Sequence, residues 1–381
     1  MEHQTMNPAP AAFELNKWQK RQATLLYHFA SLDYLKGLKK LLDDFVNGVD
    51  ITLDLAQQQG RDQFIANERW GVRDTAANFS TYGFSALKEF QRSVNKQIAT
   101  LKSEYYHATG YNQCTGLLGE VSLGWSTPEE QERFEAGMSA IGKYADPLDT
   151  TMQHAWRDEH FPSLWADYCQ LFPKVPKFRV RTDVEGQSGK LPPRTGVYVP
   201  QDDPYGALQF AWTGHNDGRL FDCETFNDLG LQAVNAVGRD ALWTDDPRLL
   251  PVVKQPAYLE AFKARRNASL RSEQEHLNDP RKAMVFISVA GVTQHPCKWY
   301  FVEKIEGEYE DPEPPPDPNA GRLRGEPGEV VSKTGWWHTL AIKGEQGLRH
   351  FEQGERFPDT KITEWGSVIW GFDPERQPKG Q

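Results

Sequence analysis

The chain has 381 residues, 12 of them Trp, with 38 % hydrophobic content and a formal net charge of −10. It is too long for one ordinary core and too rich in apolar and aromatic residues to be disordered, so at least two domains are expected. The charge argues against direct nucleic-acid binding and suits plain solubility or a basic partner. Met1-Glu2-His3-Gln4-Thr5 is not a cationic start followed by an apolar run, and no later stretch is long and apolar enough to span a bilayer. A cytoplasmic protein with no membrane partner is therefore expected.

Residues 1–14 read as a flexible tail around Asn7-Pro8-Ala9-Pro10. From Trp18 through Leu25, Phe29, Leu32, Leu35, Leu38 and Leu42 to Phe45, apolar residues recur at helical spacing and predict an amphipathic helix. A second helix is predicted from about Ile51 to Trp70, and a third over Leu87, Phe90, Val94, Ile98, Leu101 and Tyr105, closed by Thr109-Gly110. The Gly-rich stretch Tyr111 to Trp125 reads as a loop. Thr127-Pro128-Glu129-Glu130 is a capping box with Pro at the first helical position, and one or two further helices follow between Pro147 and Leu171. Residues 15–175 thus read as an antiparallel helical bundle, ended by Pro173 and Pro176.

Residues 176–381 read as a β-rich domain, giving an α+β class: strands at Phe178–Arg181, Ala283–Val289, Lys298–Ile305 and Trp365–Trp370, with a helical segment between Thr225 and Leu277. Inside it two strings resemble each other. Arg194-Thr195-Gly196-Val197-Tyr198-Val199 is followed by Gly206 to Trp212 and Gly218 to Phe221. Lys333-Thr334-Gly335-Trp336-Trp337-His338 is followed by Gly347 to Phe351 and Gly354 to Pro358. This is the pattern of a duplicated small β-module, at about 176–245 and 283–372. Thr195, Gly196, Tyr198, Trp212, Thr334, Gly335, Trp336, Trp337, Gly354 and Pro358 are its scaffold positions. In a strand, one ring of Trp336-Trp337 faces the core and the other the opposite surface.

Chemistry is sparsely signalled. His154 and His160 flank Asp158 and Glu159, but six residues apart they occupy different faces of a helix, so a hydrogen-bonded role is the simpler reading. His295-Pro296-Cys297 matches no metal or thiol-protease signature. Cys114, Cys169, Cys223 and Cys297 are far apart and read as free thiols. Asp202-Asp203 and Asp245-Asp246 precede proline, as turn and cap residues do. Phosphate loops, nucleophile elbows and dinucleotide fingerprints are absent, so no catalytic residue, metal or cofactor is assigned. The acidic run Glu308-Tyr309-Glu310-Asp311, continuing through a Pro-rich stretch to Asp317, reads as a connector or as an arm for a basic partner.

The strings Arg194 to Pro204, Ala207 to Gly214, Thr225 to Leu231, Val237 to Trp243, Thr334 to Trp337 and His350 to Pro358 resemble those of bacterial immunity proteins of the 71/72 domain type. These are cytoplasmic antidotes to polymorphic toxins, often type VI secretion effectors. Lys190-Leu191-Pro192-Pro193 and Val331-Ser332 stand where such proteins often carry Cys-Pro, so a structural role is expected there. The resemblance implies binding rather than catalysis: the chain would hold a cognate toxin domain, with a basic nuclease the expected class, and occlude its active site. Asp202, Asp203, Glu308, Tyr309, Glu310 and Asp311 are the candidate contacts. The alternatives are a hydrolase-like enzyme that neutralises toxin action and a carbohydrate- or protein-binding β-module.

Overall fold

A computed structural model describes residues 13–61, 75–244, 246–266, 280–312, 324–339, 341–342, 344–363 and 366–372. It is an α+β protein, helical first and then built of antiparallel sheets, and it divides into two units, 1–312 and 313–381. The expected boundary at 175/176 falls inside the first unit.

Helix α1 (Lys17–Phe29) is capped by Asn16, which forms a capping box with Gln19. The single helix expected from Trp18 to Phe45 is two. Ser31 caps α2 (Leu32–Gln58) through its side chain, and the apolar spacing persists because Phe29 and Leu35 face the same core. The expected start of the next helix, Ile51, lies within α2, and most of that helix's remaining span, 62–74, lies outside the described residues. Helix α3 (Ala76–Thr100) packs on α2. The expected loop at Tyr111 begins instead with α4 (Tyr111–Leu118), entered through Gly110 at φ +94°. Its single buried residue, Cys114, gives too faint a stripe to read from sequence. Helix α5 (Pro128–Met152) starts at the predicted capping box of Thr127 and Glu130, and Arg61 holds the same Glu130 with two hydrogen bonds of 2.6 and 3.1 Å. It carries Pro147 through, and α6 (Phe161–Tyr168) closes the bundle.

Strand β1 (Val175–Gln187) then begins a sheet that also contains β2 (Gly196–Pro200) and β3 (Gln209–Ala211). The chain next leaves this sheet. A two-stranded ribbon, β4 (Cys223–Phe226) against β5 (Val292–His295), frames an inserted helical lobe of α7 (Asp228–Val237), α8 (Leu249–Val253), α9 (Pro256–Arg266) and α10 (Pro280–Ala290). The lobe has its own core, with Tyr258, Phe262, Phe286 and Ile287 at its centre. The strand expected at Ala283–Val289 is helix α10: Ala283, Phe286, Ile287 and Ala290 are buried at spacings of three, one and three, a helix face hidden in a continuous apolar run. The chain re-enters as β6 (Lys298–Glu310), and the sheet order is β1-β6-β2-β3. Strand β6 therefore completes the first module, and the expected second-module span of 283–372 is corrected accordingly. One face of this sheet, through Val197, Val199, Phe210 and Val302, shares a core with the bundle.

The second unit holds β7 (Arg324–Gly325), β8 (Gly335–His338), β9 (Leu348–Phe351) and β12 (Trp370–Phe372), in the order β7-β12-β8-β9, with a small ribbon of β10 (Ile362–Thr363) and β11 (Gly366–Ser367). Order and register repeat the first sheet. Gly196 pairs with Ala211 and Gly335 with Phe351; Tyr198 pairs with Phe301 and Trp337 with Phe372. Gly196 and Gly335 sit at φ +151° and +150°, conformations in which a side chain would be strained. Tyr198 Oη donates to the Arg194 carbonyl at 2.6 Å, and Trp337 Nε1 donates to the Lys333 carbonyl at 3.1 Å. The Arg194 guanidinium lies 5.3 Å from the Phe301 ring, and the Lys333 ammonium 4.8 Å from that of Phe372. Thr195 and Thr334 accept backbone N–H groups from Thr213 (3.1 Å) and Gln353 (2.9 Å), each two residues past the partner strand's paired residue. The fully buried pairs Leu220/Phe357 and Trp299/Trp370 complete the correspondence.

Candidate functional site

The sequence-predicted contact residues do not form one patch. Asp202 and Asp203 lie in the turn after β2, beside the start of β6, where Gln201 N donates to the Lys298 carbonyl at 3.0 Å. Glu308, Tyr309 and Glu310 end the same strand, and Asp311 follows it. Its 13 residues, at about 3.3 Å each, separate the two groups by roughly 30–40 Å. The acidic end is also locally countered: Glu310 bonds Lys20 at 2.7 Å, and Glu308 and Asp311 face Lys177 and Lys174 at 3.5 and 4.0 Å. Tyr309 remains 52 % exposed.

The scaffold residues fall where the repeat puts them. Tyr198, Trp212 and Trp337 are buried, Gly354 turns the chain at φ +95°, and Pro358 follows the buried Phe357. Thr195 Oγ1 donates to Glu104 Oε2 at 2.8 Å, joining the Thr-Gly turn to the segment after α3.

The two sheets differ in their outer faces. In the first sheet, α1 lies against Val197 and Val302, and Tyr27 Oη donates to the Val302 carbonyl at 2.5 Å while accepting from Val197 N at 3.4 Å. The corresponding positions of the second sheet carry Trp336 for Val197, His338 for Val199 and His350 for Phe210. His338 and His350 are exposed, Trp336 is half-buried, and the Trp336 and His350 rings meet edge-on at 5.6 Å. The sequence signal for this face was the doubled tryptophan itself.

A cleft of about 520 Å³ opens between the end of α5, the β3 edge and the segment around Phe221. His154 lines it in the left-handed region at φ +53°, its ring stacked on Trp212 at 5.1 Å, and burial pushes its pKa down to about 4. Across the cleft, burial raises the Glu224 carboxyl above the usual range, with the Arg157 guanidinium 3.9 Å away. Asp158, beside the cleft wall, is turned away: it accepts from Gln22 Nε2 at 3.3 Å, from Trp243 Nε1 at 2.7 Å and from Arg239 Nη2. The hydrogen-bonded reading of the His154–His160 segment is thus the one the contacts support.

A second cluster lies at the neck of the inserted lobe. Donor atoms of Asp203, Cys223 and His295 all lie within 4.8 Å of one another. Cys223 and His295 are directly paired across the ribbon, and the turn at Gly206 lies so close that a Cβ there would come to 2.5 Å from Cys223 Sγ. Cys297 is the neighbouring thiol that raises the pKa of Cys223 and has its own lowered, while Cys223 Sγ donates to the Glu224 carbonyl at 3.7 Å. Sequence reasoning weighed His295 and Cys297 only against each other, and nothing local ties Asp203 or Cys223 to them.

Comparison with known protein families, with curated proteins and with solved structures finds no match.

Proposed function

We propose that this chain is an immunity protein that binds the toxin domain of a secreted effector and covers its active site, and that the outer face of the second sheet is its principal contact surface. The observation that supports this is the changed outer face on an unchanged scaffold. The first copy of the module uses that face to grip a helix, and the second keeps order and register while offering Trp336, His338 and His350 there. Aromatic side chains at the centre of a rigid face are the common anchors of protein interfaces. A net charge of −10 suits a basic, cytoplasm-acting nuclease, whose phosphate site an acidic protein would cover in competition with substrate.

The test is co-purification of the full chain with the toxin domain encoded upstream of its gene, with nuclease activity titrated against it. A one-to-one complex with activity abolished at equivalence is expected, and Trp336→Ala with His350→Ala should weaken binding at least about 30-fold. Undiminished binding by that variant would remove the proposed surface. The cleft favours a second reading, an enzyme acting on the toxin's product with Glu224 as proton donor. Protection at sub-stoichiometric amounts without a complex, lost in Glu224→Gln, would establish it and overturn the binding reading.

A further inference from the structure

We propose that the neck of the inserted lobe is a metal site, in which Cys223, His295 and Asp203 hold one tetrahedral divalent ion, Zn2+ by their chemistry, with Cys297, whose sulfur stands outside that three-residue cluster, drawn in as fourth donor.

The spacing is the first reason. Asp203 Oδ2 and His295 Nε2 stand 3.8 Å apart, too far for a hydrogen bond, while two ligands of one tetrahedral zinc with bonds of about 2.0–2.3 Å lie roughly 3.3–3.8 Å apart. The whole triad, within 4.8 Å, needs to contract by at most about 1–1.5 Å around a shared ion. Two sulfurs, an imidazole and a carboxylate form a donor set that selects zinc over magnesium or calcium.

The second reason is that each donor is oriented by a neighbour. His295 Nδ1 donates to the Pro296 carbonyl at 3.2 Å, which leaves the lone pair on Nε2, the nitrogen that faces Asp203. Asp203 Oδ1 accepts from the backbone N–H groups of Tyr205 (2.8 Å) and Gly206 (3.0 Å), so Oδ2 is the free oxygen turned toward the imidazole. Ser188 Oγ accepts from Cys297 N at 3.0 Å and from Trp299 Nε1 at 3.2 Å, fixing the last donor to the sheet. The His295 side chain is 46 % exposed and provides an entry path, whereas Cys223 is fully buried.

The position gives the ion a job. The chain leaves the first sheet at Cys223 and returns at His295 and Cys297, and Asp203 belongs to the turn after β2. An ion there would tie both crossings of the lobe to the sheet, beside bonds such as Ala207 N to the Glu224 carbonyl at 3.0 Å.

The test uses the full chain, purified under reducing conditions without chelator. One Zn2+ per chain by elemental analysis is expected. Replacement by Co2+ should give the thiolate-to-metal charge-transfer band and the intense visible bands of a tetrahedral site. His295→Ala, at an exposed side chain, and Cys223→Ser should each abolish occupancy. Cys169→Ser should leave it unchanged, and Ser188→Ala should weaken binding about tenfold or more. Circular dichroism matching the parent shows that the variants are folded. Wild-type protein that takes up neither Zn2+ nor Co2+ at micromolar concentration, or a His295→Ala variant of undiminished occupancy, would each overturn the proposal.

Discussion

Replacing Arg239 by Met probes what fastens the inserted lobe to the bundle. Asp158 is 6 % exposed, and its partner's side chain 13 %. The Arg239→Met variant keeps an apolar stem near the Phe226 ring, which the guanidinium now overlies at 4.7 Å, but leaves the carboxylate with Gln22 and Trp243 as its donors among the described residues. Breaking a buried ion pair from one side costs about 3–5 kcal/mol, because the remaining charge stays desolvated. For a unit of about 300 residues, with an unfolding entropy of roughly 2 cal/mol/K per residue, that lowers Tm by about 5–8 °C. Asp158→Leu alone should cost a similar amount, while the double variant, with no charge left to desolvate, should recover most of the loss. Differential scanning calorimetry of the three variants, with guanidinium melts followed by Trp fluorescence, measures the coupling. A Tm loss below about 2 °C for Arg239→Met, or a double variant whose loss equals the sum of the singles, would refute the assignment of Asp158–Arg239 as the joint.

Gly186→Ala and Gly325→Ala should behave alike, each costing about 1–3 kcal/mol in its own unit. A Cβ would overlap the Leu220 side chain in one and the Phe357 ring in the other, and thermal melts resolving two transitions would show it. Asp149, which accepts from Thr109 Oγ1 at 2.8 Å, has its pKa raised by burial from 3.8 to about 6. The fold therefore favours its protonated form. The contribution is present below about pH 4, and about 3 kcal/mol is lost as pH rises through 6. His154 runs the other way, its neutral form held by burial, so its contribution is present above 6.5 and lost as pH falls toward 4. Because the two oppose each other, the difference between wild type and Asp149→Asn is the informative curve. Urea melts should show it falling between pH 4 and 6, and a flat difference would sink the burial account.

Local chemistry was legible where one residue decides the backbone. The Thr127–Glu130 capping box and the two Thr-Gly turns are carried by side chains that contact neighbours within four residues, so their spacing survives in the sequence. The break at Ser31 was hidden because Phe29 and Leu35 keep the apolar rhythm across it. Helix α10 was misread because Met284 to Ala290 is apolar nearly throughout, and strand and helix share that appearance. Strand β6 went to the wrong module because the inserted lobe separates it from β3. The same insertion brings Asp203, Cys223 and His295 together from three distant points, a proximity that no spacing encodes. The acidic groups failed as one patch for the opposite reason: a single long strand holds them apart.

The duplication supplies its own control for separating structural from functional pressure. On the inner faces the two copies differ only within kind: Tyr198 and Trp337 both donate to the carbonyl four residues back, Leu220 and Phe357 fill the same place, and Trp299 and Trp370 are both fully buried. That is what a small sheet needs in order to close over a core at all. On the outer faces the change is one of kind, from Val197, Val199 and Phe210 to Trp336, His338 and His350. The half-buried Trp336 beside two exposed His, on strands that keep the first copy's register, is the change that supports a contact role for this face. On the proposed reading, the first module binds its own helix and the second binds the toxin, so one scaffold serves folding in one copy and recognition in the other.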